Sequence, residues 1–100
     1  MKLLRIASVE VLNGYRVRLT LTDGAVVERD LTRLLQGPIF ETQRAKRAEF
    51  ETVRVVDGGL EWANGADLCP DSLIWGGAPP RVADARPEAF LDFSSDQRAA

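Results

Sequence analysis

Histidine is absent from this chain of 100 residues, which removes the commonest general base and the commonest transition-metal ligand together. The single cysteine, Cys69, cannot form an intramolecular disulfide. The chain therefore lacks the cross-link pattern of a small secreted domain, and a reducing cytoplasm is the expected compartment. No apolar run approaches the roughly 18 residues of a membrane span. Arg5 and Glu10 break up the apolar residues after Met1-Lys2-Leu3-Leu4, so no signal peptide is expected. Strong charge of one sign is missing too: 13 Lys plus Arg stand against 15 Asp plus Glu, a net charge of −2, without the positive field that non-specific nucleic-acid binding requires. Aromatic residues make up 7% and do not interleave with basic ones, which leaves no base-stacking platform.

What is present is an ordinary apolar fraction, 45%, enough for one modest core and one domain and too much for a disordered chain. Charge is divided unevenly. Residues 1–56 carry net +3 and residues 57–100 net −5. Eleven of the thirteen basic residues are arginine, a bias that genomic base composition explains as well as phosphate recognition does.

Two glycine turns, Asn13-Gly14 and Asp23-Gly24, divide the first thirty residues into strand-like runs at 5–12, 15–21 and 25–30. The middle run alternates, with Tyr15, Val17, Leu19 and Leu21 on one face and Arg16, Arg18 and Thr20 on the other. Register follows from keeping apolar faces together. Three-residue loops ending in Gly14 and Gly24 pair Leu19 with Val27, Leu21 with Ala25, Val9 with Val17 and Val11 with Tyr15. On the outer face Glu10 and Asp30 then flank Arg16, and Glu28 and Ser8 flank Arg18, a solvated charge ladder.

Asp30 before Leu31, Leu34 and Leu35 predicts an N-cap and a short helix at 31–35, stopped by Gly37-Pro38. Helix formers continue through 38–49, and β-branched residues return at 52–56. Asp57-Gly58-Gly59 turns the chain into a fifth strand at 60–63, and Pro70 opens a short closing helix. The expected fold is α+β, a small single domain at 1–76 with a mainly antiparallel sheet of about five strands in the order β-β-β-α-α-β-β-α. Residues 77–100 read as a mobile tail. Within it Phe90, Leu91 and Phe93 are three large apolar residues in four positions, a candidate partner-docking segment.

The densest polar patch runs from Trp62 to Asp71. Glu61, Asp67 and Asp71 are the carboxylates a hard cation or a paired acid and base would need, although their spacing matches no calcium loop. A turn at Asn64-Gly65, with Asp67 bonded to local backbone, accounts for the same residues structurally. Without histidine Cys69 has no activating partner and reads as a buried, inert thiol. No serine lies in a G-x-S-x-G elbow, and the glycines form neither a Walker loop nor G-x-G-x-x-G. No catalytic residue, cofactor site or metal site is therefore assigned; Trp62, Asn64, Gly65, Asp67 and Asp71 remain the candidate functional patch.

The order Tyr15 to Leu21, Asp23-Gly24, Asp30-Leu31, Phe40, Phe50, Val53 to Val55, Trp62, Asn64-Gly65, Asp67-Leu68, Pro70 and Leu73 resembles the bacterial domain-of-unknown-function family 2442. The resemblance covers roughly residues 5–75, and W-x-N-G-x-D-x-x-P at Trp62 to Pro70 is its most specific part. It implies a compact α+β domain with an antiparallel sheet and transfers no activity. It also implies pairing with another small protein in the manner of toxin–antitoxin couples. The helix-turn-helix domain of some longer relatives does not fit in the 25 residues after Trp75.

The leading expectation is a non-enzymatic protein-interaction module. Two rivals stand beside it: a carboxylate- or metal-dependent enzyme using Glu61, Asp67 and Asp71, and a weak nucleic-acid binder using Arg16, Arg18, Arg29 and the Arg44–Arg47 stretch.

Overall fold

The computed structural model describes residues 4–81 and 85–92. Alternating sequence at the N-terminus becomes a three-stranded antiparallel meander, β1 (Ile6–Val11), β2 (Arg16–Leu21) and β3 (Val26–Asp30). Val17, Leu19, Leu21 and Val27 form its buried face. After β3 come a 3-10 turn (Pro38–Phe40), α1 (Glu41–Ala45) and α2 (Arg47–Phe50), with the chain extended at Lys46 between the two helices. A second antiparallel sheet is made of β4 (Arg54–Val56), β5 (Gly59–Glu61) and β6 (Asp67–Leu68). Then come α3 (Pro70–Trp75) and β7 (Phe90–Asp92), which pairs parallel with β3 and extends the first sheet to the order β1-β2-β3-β7.

The α+β class agrees with the sequence reading, whereas the described residues form seven strands rather than about five, and the order departs at β6, which precedes α3. The two added strands are β6 and β7. Neither has an alternating run long enough to stand out; each exists because a neighbouring strand offers an open edge. β7 lies in the stretch read as a mobile tail, and Phe93 lies outside the described residues.

Leu19 faces Val27 as expected, with Gly24 at φ +91° in the loop. The first hairpin is shifted by two residues. Val9 faces Leu19 and Val11 faces Val17, and the loop is Asn13 to Tyr15, closed by the Leu12 amide on the Arg16 carbonyl at 2.8 Å. A tertiary contact selects this register. Tyr15 leaves the strand to pack edge-on against Phe50, centroids 5.1 Å apart, and its hydroxyl donates to the Arg44 carbonyl. A shift of two preserves the core face, so alternation alone does not distinguish the registers.

The predicted helix at 31–35 is a hydrogen-bonded turn. Asp30 Oδ1 accepts from the Thr32 amide and hydroxyl, as a cap would. The turn buries Leu31 and Leu35, and the chain then leaves helical geometry before Gly37 at φ +86°. At the β4–β5 hairpin, Asp57 and Gly58 both have positive φ, the left-handed pair that a two-residue loop demands. Gly59 permits close approach of the next strand, because a Cβ there would lie 2.7 Å from the Leu68 carbonyl oxygen.

Candidate functional site

The W-x-N-G-x-D-x-x-P segment turns sharply around a buried tryptophan. Trp62 is 0% exposed, and its Nε1 donates to the Phe50 carbonyl at 2.9 Å. Its ring meets Phe40 edge-on at 5.7 Å and lies 6.0 Å from Phe50. The turn closes through Gly65 N to Trp62 O at 3.0 Å and Trp62 N to Ala66 O at 2.9 Å, with Gly65 at φ +92°.

Asn64 ties three pieces of chain together. Its Oδ1 accepts from the Ala66 amide and from Gln43 Nε2, while its Nδ2 donates to the Ile39 carbonyl at 3.1 Å. Gln43 is buried, and its Oε1 has no hydrogen-bond partner among the described residues. Asn64→Ala is expected to cost about 1–3 kcal/mol of stability by leaving Gln43 without its acceptor. Urea unfolding measures this, and a loss below about 0.5 kcal/mol would show that the side chain is ornamental to the turn.

The carboxylates have other surroundings. Asp67 is exposed on β6 opposite Glu61 and makes no hydrogen bond among the described residues, so the local backbone bonding expected of it falls to Asn64 instead. Glu61 lies 3.5 Å from Arg54, and Asp71 lies 3.9 Å from Arg5. Among the described residues no group of three or more His, Cys, Asp or Glu is placed to hold a metal ion.

Cys69 is exposed rather than buried, since it occupies the extended residue just before α3. Its Sγ lies 3.2 Å from Ser72 Oγ, and that hydrogen bond lowers the thiol pKa below its ordinary value.

Arg16, Arg18 and Arg29 fall into two environments. On the outer face of the larger sheet, Arg18 stands between Glu10 at 2.9 Å and Glu28 at 3.1 Å, which raise its pKa, Glu28 foremost. Arg16 lies 3.7 Å from Glu28 and 3.9 Å from Asp30. The charge ladder is therefore present, with Glu10 opposite Arg18 because of the shifted first hairpin.

Arg29 does not belong to that face. It shares the core side with Val27 and is 0% exposed, so it contributes nothing to a basic surface. Nε donates to the Leu73 carbonyl at 2.6 Å, Nη2 to the Ile74 carbonyl at 2.8 Å and Nη1 to the Glu28 carbonyl at 2.7 Å. Leu73 and Ile74 belong to the last turn of α3, whose carbonyls lack intrahelical partners, so a cation there satisfies them. Burial lowers the Arg29 pKa to about 10. The one available sequence signal was parity, because period two puts residue 29 on the side of Val27.

Val26 and Phe90 are 50% and 67% exposed. The parallel register sets Phe90 beside Glu28, hence on the outer face with Val26. A groove of about 310 Å³ runs alongside, lined by Leu4, Ala25, Val26, Val27, Pro87 and Ala89 among others. No helix of the described residues is long and apolar enough to cross a membrane.

No curated protein and no solved structure matches the chain. The sequence model of a family described as protein of unknown function (DUF2442) matches residues 6–79, from the start of β1 to just beyond α3, and so includes the turn that Trp62 and Asn64 build. By that match over most of its length, the chain belongs to the DUF2442 family.

Proposed function

We propose that this domain is a non-enzymatic protein-interaction module that meets another small protein, as one half of a pair of the toxin–antitoxin kind, at the β3–β7 edge of its larger sheet. The observation that carries the reading is the concentration of exposed apolar surface there. Val26 and Phe90 share one face, beside a groove lined by apolar residues together with Asp23 and Arg86, while the rest of that face is tiled with mutually paired charges. Apolar side chains at a sheet edge are what a partner strand or helix desolvates. The polar patch at 62–66 supports the same reading, since Trp62 and Asn64 direct their polar groups at the protein's own backbone and Gln43.

The test is affinity capture by the full chain from lysate of its source cell, followed by rebinding of the purified captured protein. Val26→Asp is expected to weaken rebinding at least about 30-fold, the effect of an interfacial hot spot near 2 kcal/mol. Ile39 is also 50% exposed but lies in the 3-10 turn outside the groove, so Ile39→Asp is the control and leaves binding unchanged. Failure to capture a stoichiometric partner, or equal loss in both variants, would overturn the reading.

A further inference from the structure

Charges on the outer face of the larger sheet alternate in sign from strand to strand. One row reads Glu10, Arg18, Glu28 and the next reads Arg16, Asp30. Both rows end in an acid on β3, and the five residues together leave one excess negative charge. The position beyond each acid, on the strand next to β3, is where a cation continues the alternation, since opposite charges directly across a strand pair attract and like charges repel.

The resident strand does not supply it. β7 places Phe90 at the register position of Glu28 and Asp92 at that of Asp30, and neither residue is a cation. Three residues long among those described, it is the sole parallel pairing among the described strands. It leaves Phe90 67% exposed, and a cavity of about 300 Å³ lies between α3 and the residues just before β7, lined by Ile74, Trp75, Pro80 and Pro87 among others. The other side of β3 shows which sequence these acids accept, because Arg16-Val17-Arg18 lies opposite Asp30-Arg29-Glu28.

We propose that the outer side of β3 is a strand-addition site for an extended segment of a partner protein carrying a basic–aliphatic–basic triplet, and that β7 is a poorly matched occupant which that segment displaces. The triplet's two cations stand beside Glu28 and Asp30, and its aliphatic residue turns to the core side with Arg29. Backbone hydrogen bonds to β3 give affinity, and the charge rows give specificity. This rests on the reading of that edge as a docking surface, keeps Val26 and β3 in it while Phe90 leaves with β7, and adds the chemistry of the partner.

The parallel register turns both backbone polar groups of Leu91 toward β3. Leu91→Pro therefore removes a ladder donor and weakens β7 without touching the acceptor edge. The experiment uses the full chain and a labelled peptide with an Arg-Val-Arg core, followed by fluorescence anisotropy, with amide shifts read by NMR. A Glu-Val-Glu peptide is the control.

Expected are binding of the basic peptide with shifts centred on residues 26–30, at least tenfold weaker binding of the acidic one, and about tenfold tighter binding to Leu91→Pro, since removing a competing occupant raises the competent fraction. Asp92→Lys supplies the missing cation in cis and is expected to weaken peptide binding about tenfold. Equal affinity for the two peptides, shifts away from β3, or no response to either variant would overturn the proposal. If a captured partner needs Val26 yet the basic peptide fails these tests, strand addition falls while the interaction module stands. If the peptide passes and no partner is captured, only the pairing reading fails.

Discussion

Trp62→Ala will remove about 3–5 kcal/mol from the unfolding free energy, the cost of emptying a buried aromatic site. A domain of this size at roughly 0.05–0.15 kcal/mol per residue holds about 5–15 kcal/mol, so the variant gives up a large share of its stability and its urea midpoint should fall accordingly. The size of the effect comes from three coincident contacts. The indole is 0% exposed, its ring meets Phe40 and Phe50, and its N–H makes the shorter of two bonds to the Phe50 carbonyl. Those partners come from the 3-10 turn and from α2, so the tryptophan joins the second sheet to the helical segment. Trp62→Phe separates volume from hydrogen bonding. It keeps most of the ring, leaves the Phe50 carbonyl with only the longer 3.3 Å bond from the Val53 amide, and should cost about 1 kcal/mol beyond any change in packing. Urea titration followed by far-UV circular dichroism reads both. A loss under about 1 kcal/mol for Trp62→Ala would remove Trp62 from the centre of the core.

Arg29→Met will cost about 2–4 kcal/mol, because it leaves the carbonyls of Leu73 and Ile74 without donors in a buried place while relieving only the desolvation of one guanidinium. Arg29→Lys should recover little of this. One ammonium on a flexible stem cannot reach carbonyls of Leu73, Ile74 and Glu28 that the planar fork reaches together.

The pH dependence distinguishes a buried cation from a merely well-packed side chain. With its pKa lowered to about 10, Arg29 is protonated in both folded and unfolded chains below that value. The stability gap between wild type and Arg29→Met should therefore stay constant from pH 6 to 9. Between about 10 and the ordinary arginine value the unfolded chain holds a proton that the folded one has released, so this group's contribution rises with pH and the gap widens. Urea midpoints for both proteins at pH 7, 9 and 10.5 measure it, and a gap that shrinks above pH 10 would contradict the assignment.

Much of the candidate site was legible from local chemistry, though its meaning was not. The Asn64-Gly65 turn is written in its residue types, as Gly65 at φ +92° and the side-chain bonds of Asn64 show. What the sequence concealed was the destination of those bonds. The partners of Asn64 are Gln43 and Ile39, more than twenty positions away, and no spacing rule connects them. Glu61, Asp67 and Asp71 stood near one another along the chain; in space Glu61 pairs with Arg54 and Asp71 with Arg5. Cys69 read as buried because free cysteine usually is, whereas its position at the entry to α3 exposes it.

By itself the sequence determined the elements with strong local signals: the β1–β2–β3 meander through period-two alternation and glycine turns, the β4–β5 hairpin through Asp57-Gly58, and α3 through Pro70. It also determined the face of each strand, since that depends only on parity. Tertiary structure decided what parity leaves open. Tyr15 chose between two hairpin registers with the same core face by packing on Phe50 and bonding to Arg44. The orphan carbonyls of α3 made a buried arginine stable in a position that charge alone assigns to solvent. The open side of β3 made a strand of Phe90–Asp92. In each case the deciding partner is distant in sequence, and a contact of that kind leaves no local pattern to read.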